Sequence, residues 1–325
     1  MRILIVRLSS MGDVIHTLPL AENARAAGHS VGWIVERAFS GLLDGHPAVE
    51  RVFVADTKRW RRRPLASDTR RAVAGLRREI SSFHADAVVD AQGLWKSAVL
   101  ARLAGGGAAR IRIIGFAAAS RREPASAILC GTSVVPAPAA AHVVDRNLAL
   151  LGPLGIPAVL RAPDASHLLG RSVADADAFL AAQKRPFVLF HPGAGRSEKC
   201  WGEERFAHLA RGLIREREVR PVVSWGPGDE RRAERLRSLL PKQHPLPALD
   251  FAGLARVIRE AALFVAGDTG PLHLADALGA RTLALYGPTD PARNGPYRFR
   301  EGVVSDMKNV SDDTVLQLAL RLVVR

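Results

Sequence analysis

Short apolar runs recur along this chain, and most break into a loop rich in glycine or acid before a helix-patterned stretch. That alternation constrains the fold more than any other feature. A run of four to seven residues that is apolar at every position reads as a strand covered on both faces, and strands alternating with helices build a parallel sheet. In the first half, RILIVRL is such a strand, and residues 13–27 read as a helix ending at Gly28. SVGWIVE and VERVFVA are further strands, and residues 66–83 a helix. ADAVVDAQG runs into the helix LWKSAVLARLAG, and RIRIIGF is another strand. VVPAPAAAH reads as a loop and HVVDRNLALLGPLG as a helix. The pattern then restarts with PFVLFHPGAG, RPVVSWGPGD, LFVAGDTG and RTLALYGPTDP, each followed by a helix or turn, and closes on the helix DDTVLQLALRLVV. Two doubly wound domains in tandem are expected, with the boundary inside residues 155–185.

Length and composition agree with that reading. A chain of 325 residues is long enough for two domains, and 48% apolar residues argue against wholesale disorder. Cys130 and Cys200 lie far apart, with neither a disulfide framework nor zinc-ligand spacing, which suits a reducing compartment. The strand-like run beginning at Arg2 predicts no signal peptide, and no apolar stretch approaches the roughly 20 residues needed to span a bilayer. A cytoplasmic, soluble protein is the expectation. The formal net charge of +14 predicts an anionic partner: nucleic acid, a membrane face or a phosphorylated substrate. The charge is clustered, since TKRWRRRP sets Lys58, Arg59, Arg61, Arg62 and Arg63 around Trp60, and Arg70, Arg71, Arg77 and Arg78 follow on a helix.

Open sheets of this kind bind ligands outside the carboxyl ends of their strands. Those loops are SSMGD and DAQG in the first half, and HPGAGRSEK, WGPGDE, GDTGPLH and YGPTDP in the second. The glycines of the second set let a phosphate approach backbone amides at helix starts, and in GDTGPLH Pro271 suits a first helical turn that Thr269 or Asp268 caps. Asp13 and Asp268 each read two ways, as helix caps or as working carboxylates. His273, at a helix start, reads first as a structural histidine, and Lys199 equally as a solvated surface residue. Asp175 and Asp177 precede a helix rather than follow a strand, so they read as helix-start acids rather than a metal pair. The glycine triplet at Gly105–Gly107 precedes a strand, the wrong context for a dinucleotide loop, and neither G-x-G-x-x-G after the first strand nor a P-loop motif occurs.

MRILIVRLSSMGDVIHTLPL, VVDAQGLWKSAVLARL, SRREPAS, HPGAGRSEKCWGEERFA, GDTGPLHLADALG and LYGPTDPARNGPY together resemble glycosyltransferase family 9 over nearly the whole chain. The resemblance implies an α/β GT-B fold, with two Rossmann-like doubly wound domains facing a central cleft. It implies an N-terminal acceptor-binding domain over residues 1–163 and a C-terminal nucleotide-sugar domain over 164–310, with the last helix, 311–325, packing back on the first. The activity implied is inverting, metal-independent transfer of L-glycero-D-manno-heptose from ADP-heptose to the inner Kdo of Kdo-lipid A, with no cofactor.

By the same resemblance, Asp13 matches the family's general base, which takes the acceptor hydroxyl's proton as the new bond forms. Asp268 matches a contact to the heptose hydroxyls. Thr269 and Gly270 match the diphosphate site, where amides stabilise the leaving ADP. Lys199 matches a lysine beside the nucleotide, and Glu230 matches the ribose acid, with Asp229 as the alternative. Gly193, Ala194 and Gly195, with His273, complete the donor set; Gly193 and Gly195 stand where some members carry threonines. On the acceptor side the resemblance places Ser10, Gly12, Arg61, Arg62, Arg63, Gln92 and Arg122, the arginines meeting phosphates and Kdo carboxylates. Trp60 either touches lipid or anchors its loop. A monomer on the cytoplasmic face of the anionic inner membrane is implied. The rival inside the family is the enzyme adding the second heptose, disfavoured by SSMGDVIHTLP and REP. The rival outside it is a basic nucleic-acid-binding protein, disfavoured by only two Tyr and five Trp and by the lack of an RNA-binding strand motif.

Overall fold

The computed structural model describes residues 1–105, 111–139, 141–183, 186–241 and 245–323. Gly106 and Gly107 of the glycine triplet, Arg110 of the RIRIIGF run, Ala140 of the proline-rich loop and the last two residues of the terminal helix lie outside them. The described chain separates into two compact units, residues 1–163 and 164–325.

The first unit is a six-stranded parallel sheet of β1 (Arg2–Val6), β2 (Ser30–Glu36), β3 (Arg51–Ala55), β4 (Ala87–Asp90), β5 (Arg112–Phe116) and β6 (Thr132–Val134), in the order β3-β2-β1-β4-β5-β6. Its helices are α1 (Met11–Ile15), α2 (Leu18–Ala26), α3 (Thr57–Arg62), α4 (Ser67–Ser81), α5 (Trp95–Ala104) and α6 (Val143–Leu148). The strands are apolar at consecutive positions because both faces are covered: Ile3, Leu4, Ile5 and Val6 have no exposed surface. Strand order reverses between β1 and β4, so the crevice lies at the loops after those two strands.

The second unit is a five-stranded parallel sheet of β7 (Phe187–His191), β8 (Arg220–Val223), β9 (Leu263–Gly267), β10 (Thr282–Leu285) and β11 (Val303–Val304), in the order β11-β10-β9-β7-β8. Around it lie α7 (Ala174–Ala181), α8 (Glu203–Arg217), α9 (Glu230–Ser238), α10 (Phe251–Glu260), α11 (Gly270–Ala277), α12 (Pro291–Asn294) and α13 (Asp312–Leu322). Here order reverses between β7 and β9, which brings HPGAGRSEK beside GDTG.

Several expectations change. Residues 13–27 are two helices, because the Thr17 hydroxyl donates to the Asp13 carbonyl at 2.8 Å and Pro19 opens a new first turn. TKRWRR is the short helix α3, started by the Asp56 carboxylate accepting from Arg59 N, rather than a loop. Trp60 is half-buried and packs against the first unit's core. HVVDRNLALLGPLG is α6 followed by a 3-10 turn at Ala149–Leu154, since Gly152 and Pro153 are poor helix formers. The two-to-three-residue strands β6 and β11 carry too few residues to show a period. The C-terminal helix belongs to the second unit, not to the first. Val315, Leu316, Ala319 and Leu322 are buried in the same cluster as Val188, Leu209 and Leu213, and that uses up its apolar face.

Candidate active site

In the first unit, the segment after β1 is fixed by Arg7. Its backbone carbonyl accepts from the buried indole of Trp33 at 3.1 Å. Its guanidinium, 8% exposed, donates to the Ala91 carbonyl after β4 and reaches Asp13 Oδ1 at 2.5 Å. The other Asp13 oxygen accepts from Ser10 N at 2.9 Å and Ser10 Oγ at 3.0 Å. Asp13 is thus the third residue of α1 and does cap it. It remains 41% exposed, so capping leaves carboxylate surface free for a ligand. Burial pushes its carboxyl up, but the Arg7 charge and the Ser10 and Arg7 hydrogen bonds outweigh that, and the net shift is downward. The group is an ionised acceptor at neutral pH.

Gln92 reaches the same place from β4. Its side chain accepts from Leu8 N at 2.7 Å and donates to Ser9 Oγ at 3.3 Å. Lys96, on the first turn of α5, also donates to Ser9 Oγ, at 3.2 Å. Burial lowers the Lys96 ammonium; Glu36 opposes that, while Arg61 and Lys58 add to it. Ser10, the N-cap of α1, is exposed, and Gly12, in the first turn of α1, is buried. Arg61 and Arg62 end α3 and Arg63 follows it, all three exposed.

A buried scaffold lies under this rim. Asp90 and Arg121 form an ion pair at 3.0 Å with neither side chain exposed. Asp90 also accepts from Gln92 N and Gly93 N, at 3.1 and 3.2 Å, which shapes the loop that carries Gln92. Arg121 donates further to the Phe116 carbonyl at 2.5 Å and to Ser126 Oγ at 3.1 Å. Gly115 makes room, since a Cβ there would lie 2.2 Å from the guanidinium. Arg122, the arginine singled out from the sequence, is exposed. Sequence reasoning passed over Arg7, Lys96 and Arg121; the signal for Arg121 was an arginine pair in SRREPAS with one member needed inside.

In the second unit, Lys199 Nζ lies 2.6 Å from Asp268 Oδ2, and His273 Nε2 lies 3.3 Å from Oδ1. Asn294 from α12 reaches Asp268 Oδ2 at 3.5 Å. Burial pushes the Asp268 carboxyl up, but His273 and then Lys199 overcome this and hold it far below the usual carboxylate range. Thr269 caps α11, its Oγ1 accepting from Leu272 N at 3.4 Å, so Gly270 and Pro271, both half-buried, form the first turn. Lys199, Asp268, Thr269, Gly270 and His273 therefore meet at the β7/β9 switch point. Gly193 is buried, Ala194 half-buried and Gly195 exposed. Glu230 is exposed and accepts from Gly228 N at 2.9 Å, at the first turn of α9. Asp229 is the acid that packs on Gly193, where a Cβ would fall 2.0 Å from its carboxyl carbon. Among the described residues, no group of three or more His, Cys, Asp and Glu is placed to hold a metal ion, and no helix is long and apolar enough to cross a membrane.

Two doubly wound parallel-sheet domains in tandem, each with its polar loops at a switch point, are the architecture of a GT-B glycosyltransferase. Solved structures agree over the whole length. The Escherichia coli heptosyltransferase WaaC with ADP superposes with a TM-score of 0.81 and 31% identity, covering 99% of this chain and 100% of that one. The same enzyme with ADP-2-deoxy-2-fluoro heptose gives 0.79 and 30%, with 99% of both chains covered. Among curated relatives, lipopolysaccharide heptosyltransferase 1 of Escherichia coli K12 is 34% identical over 98% of each chain. That of Pseudomonas aeruginosa is 36% identical over 91% of this chain and 81% of the relative. The profile of glycosyltransferase family 9 (heptosyltransferase) matches residues 73–319. The chain belongs to glycosyltransferase family 9, and it is a glycosyltransferase.

Proposed function

We propose that this enzyme moves a heptose from ADP-heptose to the inner Kdo of Kdo-lipid A, with inversion at the anomeric carbon, in building the lipopolysaccharide inner core. The second unit takes the donor. Main-chain amides at the start of α11, with Thr269 and Gly270, receive the diphosphate, and Lys199 adds a positive charge. Asp268, held ionised, accepts from heptose hydroxyls, and Gly193, Ala194, Gly195 and Glu230 line the nucleotide side. The first unit takes the acceptor. Arg61, Arg62, Arg63 and Arg122 meet its anionic groups, while Ser10, Gly12 and Gln92 shape the place of the reacting hydroxyl.

In the chemical step the acceptor oxygen attacks the anomeric carbon, its proton passes to Asp13, and the bond to the diphosphate breaks to release ADP. The observation that carries this reading is Asp13 itself. Its two oxygens are fixed by Arg7 and Ser10 at the end of β1, yet the carboxylate stays partly open and ionised. The basic surface supports peripheral attachment to the anionic cytoplasmic face of the inner membrane, released by salt.

Product mass analysis after mixing the protein with ADP-heptose and Kdo-lipid A tests the reading. A single heptose added to Kdo-lipid A is expected, none with Asp13→Ala, and ADP binding by that variant within a few-fold of the parent. Transfer only to an acceptor already carrying one heptose would move the enzyme to the second-heptose reaction. Loss of ADP binding together with activity would make Asp13 a structural cap alone.

A further inference from the structure

The helices α4 and α5 cover one face of the first sheet, and the roles above leave their outer surface unused. Leu76 and Ile80 of α4 and Leu100 and Ala101 of α5 are buried in one cluster with Leu4, Val6, Ile34 and Val88 of the strands, which sets both helices on the same face. On α4 the helical period turns Arg71 and Arg78 away from Leu76 and Ile80, with Arg70 and Arg77 beside them, and all four are exposed. On α5 it turns Trp95, Val99 and Arg102 outward, away from the buried Ser97, Leu100, Ala101 and Ala104. The 3-10 turn Pro124–Leu129 borders α5, and Trp95 N donates to Glu123 Oε2 just ahead of that turn at 2.6 Å.

Solvent reaches large apolar side chains on this layer. Leu65, between α3 and α4, is 85% exposed, Ile128 of the 3-10 turn 81%, and Trp95 and Val99 45% each. They are four of the eight large apolar side chains exposed among the described residues, and their gathering on one layer marks an interaction surface. The acids of these segments are turned elsewhere. Asp68 pairs with Arg59 at 3.0 Å, Glu79 lines a recess with Asp56, Arg59 and Trp60, and Glu123 accepts from Trp95 N. A nucleic-acid duplex would meet the arginines but offers nothing to Leu65, Val99 and Ile128. An anionic bilayer offers both partners: phosphates for the arginines, and an apolar boundary that suits the side chains between them and favours tryptophan.

We propose that the outer surface of the α4–α5 layer is a membrane-docking face: Leu65, Trp95, Val99 and Ile128 enter the boundary between headgroups and acyl chains of an anionic bilayer, while the α4 arginines bind its phosphates. The inference rests on the peripheral attachment proposed above. It goes further by naming the face that makes the attachment and by giving it an apolar part that salt does not release. It also sets the depth of the acceptor crevice. Both helices begin at the carboxyl ends of their strands, so Leu65, ahead of α4, and Trp95, first in α5, stand at the end of the sheet that holds the crevice. Lys96, next to Trp95, donates to Ser9 Oγ in the loop after β1. A bilayer seated on Trp95 brings its headgroups to the mouth where Ser10 and Gln92 lie, which suits an acceptor anchored in that bilayer.

The test is co-sedimentation of the full chain with vesicles of phosphatidylethanolamine and phosphatidylglycerol, and with vesicles of phosphatidylcholine alone. The parent is expected to bind the anionic vesicles at least about tenfold more tightly, since each arginine near such a surface adds several-fold. Arg71→Glu combined with Arg78→Glu is expected to weaken that binding by at least about tenfold. Leu65→Ser combined with Val99→Ser and Ile128→Ser is expected to abolish the binding that persists at raised salt. These positions are exposed, so both variants should melt with the parent. Brominated phosphatidylglycerol in the vesicles should quench the parent's fluorescence. Trp95→Phe should lose most of that quenching, because Trp33 and Trp201 are buried and Trp60 and Trp225 half-buried. Parent-like vesicle binding by both combined variants, with quenching retained in Trp95→Phe, overturns the inference and leaves attachment to some other face. No binding of the parent to anionic vesicles overturns the attachment and this inference together. Retention on a DNA duplex that depends on Arg71 and Arg78, without quenching by lipid, overturns it in favour of nucleic acid.

Discussion

Arg121 carries more of the first unit's architecture than any residue that meets solvent. Its guanidinium satisfies Asp90, the Phe116 carbonyl and Ser126, and through Asp90 it fixes the loop that presents Gln92. Truncating one partner of a fully buried ion pair leaves the other charge uncompensated, at a cost of about 3–5 kcal/mol. Arg121→Ala is therefore expected to lower the melting temperature by roughly 10 °C, given about 2–4 °C per kcal/mol for a domain of this size. A melt shifted by only a degree or two would mean that the pair is not structural. His191 has a pH signature of its own. Its ordinary value is 6.5 and its folded value about 4, so between those limits the unfolded chain binds a proton that the folded chain does not. Stability is expected to fall as pH drops through that window, by about 3 kcal/mol in all, and His191 adds no further loss below it. Asp268, whose folded value is depressed, contributes stability above the ordinary carboxylate range and loses it only at more acid pH. Urea unfolding of the parent and of His191→Gln from pH 7 to pH 4 checks this: the variant should lose most of the slope in that window. At this scale the sequence was half legible. Asp13, Lys199 and Asp268 stand out because acids and cations in glycine-bearing loops are conspicuous. Arg7 and Arg121 do not, because an arginine inside looks the same in sequence as one outside until a buried acceptor is known to wait for it.

Elements were legible where a period could accumulate. The helices Ser67–Ser81 and Glu203–Arg217, and the strands at the two sheet centres, follow from spacing alone. β6 and β11 are too short for that, and the break between α1 and α2 depends on one hydroxyl, Thr17, competing for a carbonyl. The terminal helix shows a second limit: its apolar stripe is readable, but the partner of that stripe is not. The partner is α8, where Gly212 leaves a notch filled by Leu316; a Cβ at Gly212 would fall 2.6 Å from both Leu316 δ-carbons. Gly212→Ala is expected to cost about 1–3 kcal/mol by overpacking. Leu316→Ala is expected to cost about 2–5 kcal/mol by leaving a cavity. The double variant should cost less than the sum, because the added methyl enters the space that Leu316 vacates. A double-mutant cycle by chemical denaturation measures the coupling, and strict additivity would place α13 elsewhere.

At the scale of the molecule, the tandem repeat of strand-loop-helix units made two domains legible, because each half of the chain restarts a sheet of its own. Each half also has its own core, one around Leu4, Ile34, Phe53 and Val88, the other around Val188, Phe190, Leu213 and Leu285. Val159 is tied to Asn23 of the first unit by bonds of 2.8 and 3.1 Å, and Ala165 N to the Ala277 carbonyl of the second at 3.2 Å. The chain therefore passes from one unit to the other within about five residues, Leu160 to Asp164, and a cut there severs no strand. Lys199, Asp229, Glu230, Asp268, Thr269, Gly270 and His273 all lie on the second side. Residues 164–325 expressed alone are accordingly expected to fold cooperatively and to bind ADP within a few-fold of the intact chain, whereas residues 1–163 alone should fold and bind none. Heptose transfer should vanish in either piece, because Asp13 and the donor loops are then on different molecules. Calorimetric titration of ADP into each piece, with circular dichroism to confirm folding, separates the outcomes. A folded second unit that does not bind ADP, beside an intact chain that does, would mean that residues of the first unit hold the nucleotide, and would return the donor assignment to the loops around Ser10 and Gln92.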